Sequence, residues 1–187
     1  TGTNYQLAQW AKEAVESVGA QARLVKAPEL APDVAIDANP AWRAHYNATQ
    51  DVPEVTSEDI KWADALIFSV PSRFGVMAAQ MKQFIDTQGG LWASGDTANK
   101  VVTGMTSASN AHGGQEATLL SLYIQMMHWG AIIAAPGYTQ AEYTTAGGNP
   151  YGTSVTVDDN GNMIEDVEGA VKKQARNVVD IASRING

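Results

Sequence analysis

Three short segments of this chain concentrate residue types that bind and react. Thr1-Gly2-Thr3-Asn4 offers hydroxyls, a glycine and backbone N–H groups at the start of a helix, where the helix dipole favours an anion. That is a neutral cradle for a phosphate, although Thr3 or Asn4 acting as an N-cap explains the same residues. Pro71-Ser72-Arg73-Phe74-Gly75-Val76-Met77 combines a hydroxyl, a cation, an aromatic ring and a glycine. Backbone groups there can pair with the polar edge of a planar ring such as isoalloxazine, with Phe74 near its face and Arg73 offsetting negative charge on its reduced form. The plainer reading is a surface arginine beside a core phenylalanine. In the third segment, Thr106, Ser107, Ser109 and Asn110 can serve the same ring through side chain or backbone, and Gly113 and Gly114 permit close approach. Clusters of serine, asparagine and glycine also simply turn a chain.

Three more residues are candidates for a reacting face. Trp92 lies in a Gly89-Gly90-Leu91-Trp92 loop where nothing obvious buries it, His128 sits near a helix C-terminus, and Tyr138 follows Gly137 after an apolar strand. Each also has a structural reading: an interface anchor, a cationic helix cap and a core-closing ring respectively.

Other chemistries lack their residues. The chain has no cysteine, so it has no thiolate nucleophile or thiolate metal site, and redox work must come from a cofactor. His45, His112 and His128 are far apart with no His-x-x-x-His pair, which argues against a metal site. No Gly-x-Ser-x-Gly elbow marks a hydrolase. A net charge of −8 argues against nucleic acid as a partner, and no apolar run approaches a membrane span. With 187 residues and no linker or repeat, one domain over 1–187 is expected.

The elements that must position these segments follow from periodicity. Leu7, Ala8, Ala11, Ala14, Val15 and Val18 make one helical stripe over Asn4–Val18. Ala22–Lys26 alternates and predicts a short edge strand. Residues 27–57 hold four prolines and read as an insertion with a short helix near Ala41–Tyr46. Ala65–Val70 is the continuous apolar run of a central parallel strand. A helix over Met77–Asp86, a strand over Val101–Met105, a helix over Gln115–Trp129, a strand over Ala131–Ala134 and a helix over Glu165–Arg184 complete the series. This alternation predicts a doubly wound five-stranded parallel α/β sheet in the order 2-1-3-4-5, with helices on both faces. The plan requires a strand before the helix at Asn4, so the first strand is expected upstream of Thr1. Ligands of such sheets sit beyond the carboxyl ends of the strands, where all three segments fall.

Taken together, Pro71-Ser72-Arg73-Phe74-Gly75, Gln80-Met81-Lys82-Gln83-Phe84-Ile85-Asp86, Gly89-Gly90-Leu91-Trp92-Ala93-Ser94-Gly95 and Gly113-Gly114-Gln115-Glu116 resemble the WrbA family of flavodoxin-like quinone oxidoreductases. The resemblance runs from Thr1 through Pro150-Tyr151-Gly152. It implies a flavodoxin-like fold, FMN as cofactor, a homotetramer, and two-electron transfer from NADH or NADPH to quinones through one shared pocket; the lack of cysteine is compatible with the reducing cytoplasm, where the protein is expected. By position, Thr1, Gly2, Thr3 and Asn4 match the phosphate loop, and Ser72, Arg73, Phe74 and Gly75 the flavin loop. Thr106, Ser107, Ala108, Ser109, Asn110 and Gly113 match the second flavin loop. His128 matches a flavin-contacting histidine, and Trp92 matches a tryptophan that reaches the flavin of an adjacent subunit. The loop Ala108–His112 departs from the family's glycine and threonine run, and the tail from Ser154 to Val167 follows no pattern of the family.

The expected mechanism is a ping-pong hydride transfer, with nicotinamide and then quinone stacked between Phe74, Trp92 and Tyr138 while Arg73 and His128 supply positive charge. The alternatives are a one-electron carrier of the flavodoxin type and a binding module on the same fold without flavin. A phosphoacceptor receiver needs an aspartate at the central strand end, where Ser69-Val70-Pro71 stands.

Overall fold

The computed structural model describes residues 2–186. It opens with α1 (Thr3–Ser17), whose Leu7, Ala11, Ala14 and Val15 form the predicted buried stripe. The insertion carries α2 (Asp33–Asp37) and α3 (Pro40–Ala48). Asn39 caps α3 by accepting from the N–H groups of Ala41 and Trp42, and Pro40 takes the first turn, where its missing N–H costs nothing. A capping box between Thr56 and Asp59 starts α4 (Ser57–Trp62), which feeds β1 (Ala65–Arg73). Then come β2 (Val76–Met77), α5 (Ala79–Asp86), α6 (Gly89–Ser94), β3 (Val101–Ala108), α7 (Gln115–His128), β4 (Ile132–Ile133), α8 (Ala141–Thr145), β5 (Ser154–Thr156) and α9 (Glu168–Asn186).

The centre of the sheet is the parallel pair β1 and β3, in unbroken register from Ala65 opposite Val101 to Pro71 opposite Ser107. Side chains alternate between two apolar layers. Leu66, Phe68 and Val70 join Phe84, Ile85, Leu119, Leu122 and Met126 beneath α5 and α7, whereas Ile67 and Met105 face α1 and α9. Helices therefore cover both faces, as the alternation predicts.

The far edge of β3 is shared. β4 pairs with Val101 and Val102, and β5 pairs with Thr106 to Ala108, so two strands divide one edge, separated by the excursion that contains α8. The gap would strand the backbone of Gly104. Its N–H instead donates to Tyr123 Oη (3.0 Å), and its carbonyl accepts from Gln174 Nε2 (2.8 Å). The same Gln174 donates to Thr103 Oγ1 and accepts from the Thr153 N–H and hydroxyl. Side chains from α7 and α9, on opposite faces, thus replace the missing ladder. Glycine is required on both sides of the gap, since a β-carbon on Gly104 would stand 2.8 Å from Leu119, and one on Gly152 would collide with the Gly104 carbonyl.

Several predicted elements change. Ala22–Lys26 is extended chain with a single bridge, Lys26 to Glu54, and forms no strand ladder among the described residues. Met77, predicted to open a helix, belongs to β2, which runs antiparallel to β1 and makes the sheet mixed. Gly89–Ser94, read as a loop, is helical, and the unmatched tail supplies β5. No helix among the described residues is long and apolar enough to cross a membrane.

Candidate active site

The hairpin joining β1 to β2 turns in two residues. Ser72 faces Met77 and Arg73 faces Val76, leaving Phe74 and Gly75 at the corner with φ of 53° and 83°. Two positive φ values define the type I′ turn, which prefers Asn-Gly. Phenylalanine at that first corner position is strained, and its ring is wholly exposed, at 106%. An aromatic residue held in a left-handed conformation without packing in its own chain departs from the local rule, as residues at functional sites do. The Arg73 guanidinium donates to the Ser72 carbonyl (3.1 Å) and is otherwise turned to solvent.

The hairpin leans on the turn before α7. Ser72 Oγ donates to the Gly113 carbonyl (2.6 Å) and accepts from Thr118 Oγ1 (2.9 Å). A β-carbon on Gly114 would lie 2.6 Å from Gly75 Cα, so two glycines let the backbones touch. Ala108, Ser109 and Asn110 lead into a tight turn in which Gly113 N–H donates to the Asn110 carbonyl and Asn110 Oδ1 accepts from the His112 N–H. Thr106 Oγ1 is fully buried and has no partner among the described residues.

The N-terminal turn of α1 joins the same cluster. Asn4 Nδ2 donates to Ser107 Oγ (2.7 Å), and Ser69 Oγ donates to the Asn4 carbonyl (2.8 Å). Gly2 stands at the N-cap with φ 102° and offers no side chain to satisfy the first N–H groups of α1. Thr1 lies outside the described residues. The three predicted segments therefore meet at the carboxyl ends of β1 and β3, fastened by Asn4, Ser69, Ser72, Ser107 and Thr118. Ser69 and Thr118 had no sequence signal of their own, because a hydroxyl on a strand or helix is common and only its partner gives it meaning.

Trp92 and His128 are neighbours of one another, with Trp92 Nε1 donating to the His128 carbonyl (3.1 Å). They are not part of this cluster within one chain. α7 starts beside the hairpin and ends at His128, so its 14 residues carry His128 and Trp92 roughly 20 Å away, to the amino end of the sheet. Within a single chain His128 therefore stands apart from Ser72 and Phe74, because the helix between them is long. Tyr138 stands on the loop that leaves β4 after Ala134 and is 72% exposed.

One residue near the cluster had no reading beyond an isolated histidine. His45, on α3, stacks against Tyr5 of α1 with ring centroids 5.6 Å apart and lies against Gly2. Burial, above all, holds its pKa below the ordinary histidine value, with the Lys26 ammonium a lesser cause. Among the described residues no cluster of histidine, aspartate and glutamate is placed to hold a metal ion.

With this geometry, the chain has known relatives. The family described as NADPH-dependent FMN reductase matches residues 1–145. A protein of Deinococcus radiodurans named NAD(P)H dehydrogenase (quinone) is 48% identical over 188 aligned residues, covering 100% of this chain and 93% of that protein. One of the same name from Brucella abortus is 37% identical, over 97% of this chain and 92% of its own length. Among solved structures, the flavodoxin WrbA-like protein of Agrobacterium tumefaciens superposes with a TM-score of 0.59 at 21% identity, over 98% of this chain and 91% of that one. That likeness is one of fold, and it matches the helix-covered sheet described above. The match over residues 1–145 and the relatives at 48% and 37% identity show that the chain belongs to the NADPH-dependent FMN reductase family, and the arrangement of its strands shows a flavodoxin-like α/β fold.

Proposed function

We propose that the chain is an FMN-dependent NAD(P)H:quinone oxidoreductase, of the WrbA type, that reduces quinones by two electrons. The observation that carries this reading is Phe74, an exposed aromatic ring held in a strained turn at the meeting point of three polar, glycine-bearing loops. The residues present fit FMN. Gly2 leaves the first N–H groups of α1 without a side-chain cap, which suits a phosphate. The backbone contact at Gly75 and Gly114 suits the edge of a flat ring, and the unpartnered Thr106 hydroxyl is a group such a ligand can satisfy.

Gly2, Thr3 and Asn4, with Thr1, would hold the phosphate. Ser72, Arg73, Phe74 and Gly75 on one side, and Thr106, Ser107, Ala108, Ser109, Asn110 and Gly113 on the other, would hold the ring. The chemistry FMN supplies when bound is acceptance of a hydride from NADH or NADPH and delivery of the electron pair to a quinone. Arg73, exposed beside the hairpin, contributes positive charge where negative charge develops. Phe74 and Tyr138 offer apolar faces to stack the nicotinamide and then the quinone. The hydrogen bonds from Ser72 and Asn4 keep the loops from separating as the two ligands exchange.

Trp92 and His128 would act on a second copy. Leu120, Ile124 and Met127 form an exposed apolar stripe along α7, and Trp92 is 59% exposed at its end. An assembly that covers this stripe, a homotetramer in this reading, brings the pair toward a neighbour's loops. The protein would work as a single domain in the cytoplasm.

The test is absorbance-monitored oxidation of NADH and NADPH by the FMN-loaded protein, with and without benzoquinone. Quinone-dependent turnover, with parallel double-reciprocal plots, is expected. Bound FMN that neither nicotinamide reduces would overturn the reading in favour of an electron carrier.

A further inference from the structure

The phosphate cradle at the head of α1 carries no charge of its own. The first turn of α1 has no acidic residue and is headed by a left-handed glycine, so attraction for a phosphate monoester rests on backbone N–H groups and the helix dipole. The insertion changes this. α3 lays His45 over the cradle, with Nδ1 3.2 Å from where a β-carbon on Gly2 would stand and Cε1 3.7 Å from the same point.

The placement is held from three sides. Tyr5, in the first turns of α1, meets the imidazole at 5.6 Å with a 56° tilt. The backbone of α3 is anchored behind it, where Thr49 N–H and Oγ1 both donate to the His45 carbonyl (3.1 and 2.9 Å). Lys26 Nζ in turn donates to the Thr49 carbonyl (2.6 Å), tying the end of α3 to the chain that leads out of α1. Neither ring nitrogen of His45 has a hydrogen-bond partner among the described residues. Among the described residues, this half-buried imidazole beside a helix N-terminus is a donor without an acceptor.

We propose that His45 is a phosphate-binding residue of the cofactor site, contributed by the insertion, which selects a flavin bearing a phosphate monoester over one without it. This rests on the reading that the chain binds FMN. Partial burial disfavours the imidazole as a cation, and an incoming dianion opposes that preference. The donor is then charge-assisted and strongest for a monoester, and absent for riboflavin, which ends in a hydroxyl. The insertion, whose sequence pattern left open a functional or a merely covering part, thereby has a chemical role, which couples the seating of α3 to retention of the cofactor.

The experiment compares the dissociation constants of FMN and riboflavin, by quenching of flavin fluorescence, for the wild-type chain, His45→Ala and His45→Gln. Hydrogen bonds to a charged group predict that His45→Ala weakens FMN on the order of tenfold to a hundredfold and leaves riboflavin within about twofold. His45→Gln keeps a neutral donor and falls between, and it also guards against a fold lost by the alanine variant. Equal weakening of both flavins would mean that His45 only props α3 against Tyr5, and unchanged FMN affinity would mean that it does not reach the phosphate. Either result overturns the inference while the cofactor reading stands, whereas a wild-type chain that binds neither flavin overturns both.

Discussion

Phe74 should be a liability to the fold and an asset to the site, and Phe74→Asn separates the two. A bulky residue in the left-handed region costs about 1–2 kcal/mol, and asparagine is the side chain best suited to the first corner of a type I′ turn. The ring is 106% exposed, so its removal forfeits no packing within the chain. The FMN-free variant should therefore be more stable by about 1 kcal/mol, which for a chain of this size is a rise in Tm of about 2–4 °C. Urea unfolding with an unchanged slope measures this directly. Loss of the stacking face should at the same time lower quinone kcat/KM about three- to tenfold, the equivalent of one aromatic contact. A variant that loses stability would show that the ring packs against another copy of the chain. A more stable variant with undiminished turnover would refute the argument that the strain is kept for a ligand.

Other outcomes follow from the split edge of the sheet and the anchored insertion. Gln174→Leu removes the partners of the Gly104 carbonyl and the Thr153 N–H inside a closed core, and should cost about 3–5 kcal/mol in urea unfolding. Tyr123→Phe leaves the Gly104 N–H and the Tyr151 carbonyl unpaired and should cost about 1–3 kcal/mol. Burial raises the Tyr123 pKa and pushes Tyr143 up to about 12, so wild-type stability should hold to about pH 10 and fall above it as the unfolded tyrosines ionise first. Thermal melts between pH 9 and 12 should show a shallower decline for Tyr143→Phe. Burial raises the Glu29 pKa, but the N–H groups of Ala31 and Leu30 and the side chains of Gln80 and Trp42 outweigh it and hold the carboxyl below its usual range. That stabilisation is present above the unfolded value and lost as pH falls through the folded one, so the gap in urea midpoint between wild type and Glu29→Gln should close on acidification.

Periodicity was enough to find the central elements because burial on two faces writes itself into sequence: Ala65–Val70, the stripe of α1 and that of α9 all lie where their apolar spacing puts them. Elements set by local conformation were harder to see. β2 is two residues long and exists because Phe74 and Gly75 reverse the chain, and Phe-Gly is not a sequence that announces a type I′ turn. Ala22–Lys26 has the alternation of a strand, yet a strand is a relation between two segments and its ladder needs a neighbour. The same distinction runs through the site. Ser72, Asn4 and Ser107 could be named from their loops, and their mutual hydrogen bonds then join those loops. His45 could not, because the fold of an insertion rich in proline and the crossing of α3 over Gly2 are long-range facts. Trp92 and His128 were legible as residues, but that they meet each other at the far end of α7 from Phe74 was not, since spacing along the chain does not say which end of the sheet a helix reaches.

The interrupted edge of β3 has a consequence for how such a protein can change over time. Because Tyr123 and Gln174 satisfy Gly104 from the two faces, the exposed stretch from Tyr138 to Glu142 has no duty to the sheet, whereas Tyr143, Ala146 and Gly152 beyond it stay tied to the core. The exposed stretch can lengthen, shorten or be replaced while both flanking strands stay in register. This is a graft point that opens beside the proposed pocket, and Tyr138 already stands on it. New substrate preferences could be acquired there by recombination of a single loop, with Tyr138 exchanged and the loops proposed to hold the flavin left untouched.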